Sequence, residues 1–290
     1  MTTATPLQQA FTHHPRAWKG FKYLYPVISR RAKGLSIGIN LSPNQFCNLN
    51  CIYCCIDRAP SQPPYPIDLF ILKQELTQIL GAVKTGEIWL DPPFKDIPQD
   101  YRRLNDIAFS GDGEPTLSPS FPQGLELATQ TLQQLGLAQT CKTIIITNAT
   151  TLHLPPIQAA LRTLKNKNAT LWAKLDAGSA DYYRKINQSA VPYQTIVQNI
   201  LTHSQAFPTT IQTLLLNIHN TPMPDQEFLH YIHQLRYLLK HGAQLQTIQL
   251  YTTARETQIK NITPISEQKM NQFRRTLISA LPGLHVETFV

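Results

Sequence analysis

Residues 47–54 read CNLNCIYC, a stretch with three thiols at spacings of four and three residues. Three thiolates held in one loop can bind three irons of a [4Fe-4S] cube and leave the fourth iron without a protein ligand. That open position matters chemically, because a substrate or cofactor can bind the metal there. A zinc site is the alternative, but it needs a fourth ligand. Cys55 is too close to Cys54 to share one tetrahedron with it, and Cys141 lies far away along the chain.

Short β-rich runs alternate with longer amphipathic runs along the chain, which predicts repeated βα units on a parallel sheet. The predicted strands are Leu35–Leu41, Asp106–Phe109, Thr143–Ile146, Thr170–Leu175, Gln212–Ile218 and Thr247–Leu250. The predicted helices cover residues 66–81, 121–135, 155–164, 180–186, 193–206, 225–241 and 266–280. Residues 284–290 fit either a seventh strand or a packed tail.

Polar and glycine-rich residues follow each predicted strand. In chain order they are Pro43-Asn44 with the cysteine motif, residues 110–114, Thr147-Asn148, residues 176–178, His219-Asn220 and Tyr251-Thr252. In parallel α/β folds the carboxyl ends of the strands carry the functional sites. An accidental series of polar loops is the alternative, but the glycine spacing and the single acids are more particular than generic turns.

The composition describes a globular chain with an uneven charge. Of its 290 residues 42% are hydrophobic and 15% charged, which excludes a disordered, highly charged protein. The net charge is +8, and residues 1–56 contain no acid but six basic side chains: Arg16, Lys19, Lys22, Arg30, Arg31 and Lys33. We call these six the basic segment.

The basic segment has three possible uses. Aromatic residues lie between its charges as a stacking surface for RNA would require, namely Trp18, Phe21, Tyr23 and Tyr25. It can equally be a solvated face, or it can hold a smaller phosphorylated or carboxylated substrate.

No apolar run approaches the roughly 18 to 20 residues of a membrane span, and the N-terminus lacks a secretory signal pattern. We therefore expect a soluble, cytoplasmic protein with no membrane partner. Five clustered cysteines are too few for a disulfide scaffold and favour metal or redox chemistry.

The Cys-x3-Cys-x2-Cys motif, with an aromatic residue before the last cysteine, resembles the radical S-adenosylmethionine (SAM) superfamily. The segment Ser110-Gly-Asp-Gly-Glu-Pro115 resembles that family's glycine-rich Gly-Gly-Glu-Pro segment, which binds the methionine amino group of SAM. The resemblance implies an α/β fold, a partial (β/α)6 TIM-type barrel with a parallel sheet and terminal extensions. Its implied divisions are a basic N-terminal extension packed on the barrel (residues 1–34), the core (35–260), and a C-terminal helix and strand (261–290).

The resemblance also implies roles for individual residues. Cys47, Cys51 and Cys54 match the ligands of a [4Fe-4S] cluster, and Tyr53 matches the position that packs against the adenine of SAM. A glycine-rich strand end lets backbone carbonyls approach an ammonium group, and one carboxylate balances its charge. The further implied SAM contacts are Ser110, Gly111, Asp112, Gly113, Glu114, Thr147, Asn148 and Asp176.

Lys174 and Asp176 are candidates for a catalytic or substrate-binding role. Two residues apart on one strand, they lie on the same face. The alternative is a structural ion pair at the rim of the barrel, in which the two side chains only neutralise each other.

The implied function is an iron–sulfur oxidoreductase or transferase. The resemblance implies reductive cleavage of SAM to a 5′-deoxyadenosyl radical, which acts on an unidentified substrate, with an electron donor such as flavodoxin or ferredoxin. No side-chain acid or base is needed for this first step. The alternative is a non-catalytic metal- or nucleic-acid-binding protein on the same barrel.

Within the superfamily, residues 36–40, 109–115 and 175–177 resemble the branch of wybutosine-type tRNA-modifying enzymes and their bacterial relatives. That branch makes tRNA the leading substrate, with another anionic molecule as the alternative. Wybutosine synthases carry a second cluster on additional N-terminal cysteines, and no Cys precedes Cys47 here. We therefore do not expect their pyruvate-condensing chemistry.

Overall fold

The computed structural model describes residues 5–12, 18–57, 62–92 and 94–290. They fall into two compact units. Unit 1 comprises residues 1–46, 62–145 and 155–169, and unit 2 comprises residues 47–61, 146–154 and 170–290. Arg16 of the basic segment lies outside the described residues.

Unit 1 contains the first strands of a mostly parallel sheet. β1 (Leu24–Ser29) pairs antiparallel with β2 (Gly34–Ile39), and β2 pairs parallel with β3 (Leu104–Phe109). β3 in turn pairs parallel with β4 (Lys142–Thr147). Its helices are α1 (Pro6–Thr12), α2 (Leu69–Thr85), α3 (Phe121–Gln134) and α4 (Pro155–Arg162), with short 3₁₀ turns at Glu87–Leu90, Gln99–Tyr101 and Pro115–Leu117.

The core of unit 1 follows from the apolar spacing. On α2, Leu72, Leu76 and Ile79 recur at helical spacing and are fully buried. Ile107 and Phe109 of β3 are fully buried as well. Each such side chain contributes about 1.5–3 kcal/mol by leaving water, so burial of these apolar faces stabilises the unit.

Unit 2 continues the βα pattern, and its strands and helices are as follows: β5 (Ala169–Lys174), α5 (Ala180–Asn187), α6 (Tyr193–Ala206), β6 (Thr209–Leu214), β7 (Leu216–Ile218), β8 (Thr221–Pro222), α7 (Asp225–Lys240), β9 (Leu245–Tyr251), β10 (Ile262–Pro264), α8 (Glu267–Ala280) and β11 (Val286–Phe289). β5, β6, β9 and β11 are parallel neighbours in that order. A separate antiparallel sheet joins β7 to β8 and β10.

Five of the six predicted strands are confirmed, and residues 284–290 contain a strand, β11. The predicted strand Gln212–Ile218 is divided, because the chain leaves β6 at Leu214 and enters the antiparallel sheet as β7. The sequence did not lead us to predict β1, β8, β10 or α1. Among the described residues, no helix is long and apolar enough to cross a membrane.

Candidate functional site

The cysteine loop, defined as residues 47–54, docks on the C-terminal end of α5. The last carbonyls of a helix have no partner inside the helix and need donors from elsewhere. Asn50 donates its backbone N–H to the carbonyl of Asn187 at 3.0 Å, and Ile52 donates to the carbonyl of Ile186 at 2.9 Å. The loop therefore satisfies the helix end while the helix end fixes the loop.

An apolar side chain anchors the same loop. Ile52 packs in a buried cluster with Ile186 of α5, Leu214, Leu216 and Ile262, which come from β6, β7 and β10. One apolar residue between two cysteines thus holds the loop against three strands and a helix.

The thiols of the cysteine loop are reduced and half-buried, and two of them have an amide donor nearby. Nδ2 of Asn187 lies 3.3 Å from Sγ of Cys51, and Nδ2 of Asn148 lies 3.7 Å from Sγ of Cys47. Amide N–H groups stabilise negative charge on sulfur. Among the described residues, no three His, Cys, Asp or Glu side chains are arranged to hold a single metal ion. Three thiols with two amide donors fit the ligand set of an iron–sulfur cluster.

Burial raises the pKa of the Cys51 thiol to about 12, and the nearby Asp176 carboxylate adds to the increase. A thiol must lose its proton to ligate a metal, so metal binding and deprotonation are coupled. The positive charge of bound iron would stabilise the thiolate, which burial otherwise disfavours.

Asp176, just after β5, is the hub of the polar contacts in unit 2. Its side chain is 1% exposed. It accepts hydrogen bonds from Nδ2 of Asn187 at 3.1 Å, from the backbone N–H of Leu214 at 2.8 Å and from the Tyr53 hydroxyl. Lys174 lies 2.9 Å away and forms an ion pair with it. A buried carboxylate with four donors is held in one orientation.

Lys174 is a fixed cation. Its Nζ lies 4.9 Å from the ring centre of Tyr53 and 4.7 Å from that of Tyr251, and it also donates to the Tyr251 hydroxyl. Burial lowers the pKa of Lys174, but the Asp176 carboxylate and Tyr251 outweigh burial, and the net pKa is raised. Lys174 therefore stays protonated. It suits charge pairing or anion binding rather than nucleophilic attack.

The loop after β4 contacts the cysteine loop. The Thr147 hydroxyl accepts the backbone N–H of Ala149 at 3.0 Å, and Oδ1 of Asn148 accepts the Thr150 hydroxyl at 2.7 Å. Nδ2 of Asn148 donates to Oδ1 of Asn48 at 2.9 Å. Thr147 and Asn148 thus shape their own turn, and Asn148 also holds the first part of the cysteine loop.

The glycine-rich segment, residues 110–115, belongs to unit 1 and makes close backbone contacts there. A Cβ built on Gly113 would lie 2.0 Å from the carbonyl oxygen of Phe46. Gly111 has φ +148°, and a Cβ there would lie 2.5 Å from Oδ1 of Asn40. A side chain at either position would clash with these neighbours, so the close approach of the backbone to Phe46 and Asn40 requires glycine.

The acids of the glycine-rich segment have local partners. Oδ2 of Asp112 accepts Nδ2 of Asn40 at 2.6 Å. Glu114 is buried, and its Oε1 accepts two hydrogen bonds from Thr116, one from the backbone N–H at 3.1 Å and one from the side-chain hydroxyl at 2.5 Å. Both carboxylates are therefore oriented by neighbouring residues.

The basic segment is partly neutralised within unit 1. Nζ of Lys19 lies 3.1 Å from Oε1 of Glu87 and 3.2 Å from Oδ2 of Asp91. The Arg31 guanidinium is close enough to the buried Asp106 carboxylate to lower its pKa against the larger effect of burial. Acids distant in the sequence thus offset part of the charge that residues 1–56 carry.

Three of the four aromatic residues expected to form a stacking surface are buried, and the fourth, Phe21, is half-buried. Trp18, Tyr23 and Tyr25 are 8%, 8% and 5% exposed. The Tyr25 hydroxyl lies 2.9 Å from Oγ of Ser110, and the Tyr23 hydroxyl accepts the backbone N–H of Asp68 at 3.2 Å. The expectation of an RNA-stacking surface on these rings is wrong, because they belong to the core around β1.

Among the residues expected from the sequence, unit 2 gathers the three cysteines, Tyr53, Thr147, Asn148, Lys174 and Asp176, and unit 1 holds residues 110–114. Two functional candidates were not expected. Asn187 has no sequence signal, because it lies in no motif. Asn40 follows β2 and could have been noticed as a polar strand end.

Comparison with known proteins identifies the family. The model of the radical SAM superfamily matches residues 41–232, which include the cysteine loop and the glycine-rich segment. The chain therefore belongs to the radical SAM superfamily, a family of enzymes.

A curated relative is the UPF0026 protein of Helicobacter pylori, 28% identical over 187 residues. The match covers 63% of this chain and 51% of that protein. The chain thus spans about half the length of the curated relatives it matches.

Solved structures show the same fold. TYW1 with a lysine-pyruvate adduct bound matches with a TM-score of 0.56 at 15% identity, over 94% of this chain and 80% of that chain. Streptococcus suis SuiB bound to the precursor peptide SuiA matches with a TM-score of 0.57 at 14% identity, over 87% of this chain and 48% of that chain. These similarities confirm the expected α/β fold of the partial-barrel type.

Proposed function

We propose that this protein is a radical SAM enzyme whose [4Fe-4S] cluster is held by Cys47, Cys51 and Cys54. The observation that carries the proposal is the cysteine loop itself, docked on α5 with amide donors at two of its three thiols. When bound, the cluster and SAM supply one-electron cleavage chemistry and a 5′-deoxyadenosyl radical. The protein binds and orients both groups and excludes water.

We propose that the contacts to SAM come from chain segments that already carry oriented polar groups. The glycine-rich segment, with Ser110, Gly111, Asp112, Gly113 and Glu114, presents backbone carbonyls and carboxylates to the methionine ammonium. Tyr53 offers its ring to the adenine, and Thr147, Asn148 and Asp176 offer polar contacts.

We propose an RNA, with tRNA the leading candidate, as the substrate, and flavodoxin or ferredoxin as the electron donor. The net charge of +8 and the sequence resemblance to the wybutosine-type branch support an anionic substrate. Because the aromatic rings near the basic segment are buried, we do not propose base stacking on them. The proposed RNA binding depends instead on contacts between phosphates and the Lys and Arg side chains.

Anaerobic reconstitution tests the enzymatic proposal. We expect about four irons per chain and formation of 5′-deoxyadenosine from SAM under a strong reductant. Cys51→Ala should lose both, because it removes a ligand. The adjacent Cys55→Ala is the matched control and should retain both. Bound zinc without SAM cleavage would instead indicate the non-catalytic metal-binding alternative.

Salt-dependent binding tests the substrate proposal. We expect tRNA to bind wild-type protein with an affinity that falls steeply with salt. Arg30→Glu with Arg31→Glu should weaken binding and reduce the salt slope. Lys165→Glu with Lys167→Glu, a double charge reversal after α4, is the control and should have a smaller effect. Equal loss in both variants, or no tRNA binding at all, would refute an RNA substrate docked on the basic segment.

A further inference from the structure

Asn187, the last residue of α5, contacts the cysteine loop through both its main chain and its side chain. Its carbonyl accepts the backbone N–H of Asn50 at 3.0 Å, and its Nδ2 lies 3.3 Å from Sγ of Cys51. The residue is 3% exposed. No motif discussed above includes it, so neither the metal ligands nor the proposed SAM contacts explain why an amide is buried here.

Asp176 determines which end of this amide points to the thiol. Nδ2 of Asn187 lies 3.1 Å from Oδ2 of Asp176. A carboxylate only accepts hydrogen bonds and would repel the amide oxygen, so the nitrogen must be the atom that faces it. The same nitrogen then has a second hydrogen for Cys51.

The amide oxygen of Asn187 is in an unfavourable environment in this orientation. Oδ1 of Asn187 is buried and has no hydrogen-bond partner among the described residues. A buried carbonyl oxygen without a partner is unfavourable and rare in folded proteins. The orientation that favours Cys51 and Asp176 is thus kept at the expense of that oxygen.

Hydrogen bonds to cysteine sulfurs are among the features that set the reduction potential of an iron–sulfur cluster. A donated N–H stabilises negative charge on the sulfur, and that charge increases when the cluster gains an electron. The N–H therefore favours the reduced state. The Asp176 carboxylate acts in the opposite direction, because a nearby negative charge disfavours added negative charge.

We propose that Asn187 is a positioning residue that raises the reduction potential of the cluster by donating a hydrogen bond to the Cys51 thiolate, with its amide oriented by Asp176. This inference rests on the proposed function, since it requires a cluster on the cysteine loop. It predicts that the potential depends on a residue 136 positions away from the ligand it contacts.

A redox titration of the reconstituted protein, followed by electron paramagnetic resonance, tests the inference. The variants are Asn187→Ala, which removes the amide and leaves a cavity, and Asn187→Leu, which removes the amide but keeps a side chain branched at Cγ. We expect both to lower the midpoint potential. If the hydrogen bond is stronger to the reduced cluster than to the oxidised one by a typical net hydrogen-bond energy, its loss makes the ratio of reduced to oxidised cluster about fivefold to tenfold smaller at a fixed potential. For a one-electron couple a tenfold change is about 59 mV.

The control is Asn217→Ala, which removes an amide of unit 2 that donates to Thr263 and Pro264 and has no hydrogen bond to sulfur. Its potential should equal that of the wild type. Unchanged potentials in both Asn187 variants, with iron content intact, would overturn the inference and leave the proposed function standing. A shift in Asn187→Ala alone would also overturn it, because it would trace the effect to water entering the cavity. Wild-type protein that assembles no cluster would instead refute the proposed function.

Discussion

Asp106, on β3, is a buried carboxyl group whose protonation affects stability. It is 3% exposed, and the Ser36 hydroxyl donates to its Oδ1. Burial raises its pKa from 3.8 to about 6, although Ser36, Arg31 and Lys142 each act to lower it. The perturbation we consider is Asp106→Asn, which keeps the shape and an acceptor for Ser36 but removes the titratable charge.

The size and sign of the effect follow from the shift in pKa. A pKa raised in the folded state means that folding favours the protonated acid, so stability falls as pH rises from about 4 to about 6 and stays lower above that range. A shift of about two units corresponds to about 3 kcal/mol. The variant should therefore match the wild type near pH 4 and be more stable by about 2–3 kcal/mol at pH 7.5.

Urea unfolding of the cluster-free, reduced protein at pH 4, 5, 6 and 7.5 measures this difference. The wild type and the variant are measured in parallel at each pH, and the difference between their free energies of unfolding is compared. Asp181→Asn is the control, because the Asp181 side chain is 88% exposed, and it should change the free energy of unfolding at pH 7.5 by no more than about 0.5 kcal/mol. A flat difference for Asp106→Asn, or a variant less stable at pH 7.5 than the wild type, would refute the reasoning.

Two other substitutions have expected outcomes. Gly113→Ala would place a Cβ 2.0 Å from the Phe46 carbonyl oxygen and should lower the free energy of unfolding in urea by about 1–3 kcal/mol. Gly124→Ala is the control and should be neutral or stabilising, because its Cβ would lie 3.5 Å from its nearest neighbour. Equal losses in the two variants would contradict the close-approach argument. Lys174→Met should destabilise by about 3–5 kcal/mol, because it leaves the buried Asp176 carboxylate without its cation. Adding Asp176→Asn should recover part of that loss, and a double variant no more stable than Lys174→Met would contradict the argument that the unpaired carboxylate causes the loss.

The fold was predictable because each βα unit carries its own local signal. Strand runs such as Thr170–Leu175 and the helix at residues 121–135 combine length, periodicity and flanking polar residues, and these depend on near neighbours. β1 was not predicted, because its residues, Leu24–Ser29, lie among basic side chains and read as part of a charged segment. Its burial depends on pairing with β2 and on Glu75, which accepts three backbone N–H groups of residues 22–24.

In the candidate site, too, some residues could be identified from the sequence and others only from the structure. The proposed metal ligands could be identified from the sequence because a cluster requires several thiols close together, and one loop supplies them with fixed spacing. The amide donor at Cys51 comes from the end of a helix 136 residues later, and this asparagine has no spacing pattern that distinguishes it from any other. A single hydrogen bond at long sequence separation is a property of the folded chain. The chemistry of the cysteine loop could therefore be predicted from the sequence, whereas the tuning we propose for it required the structure.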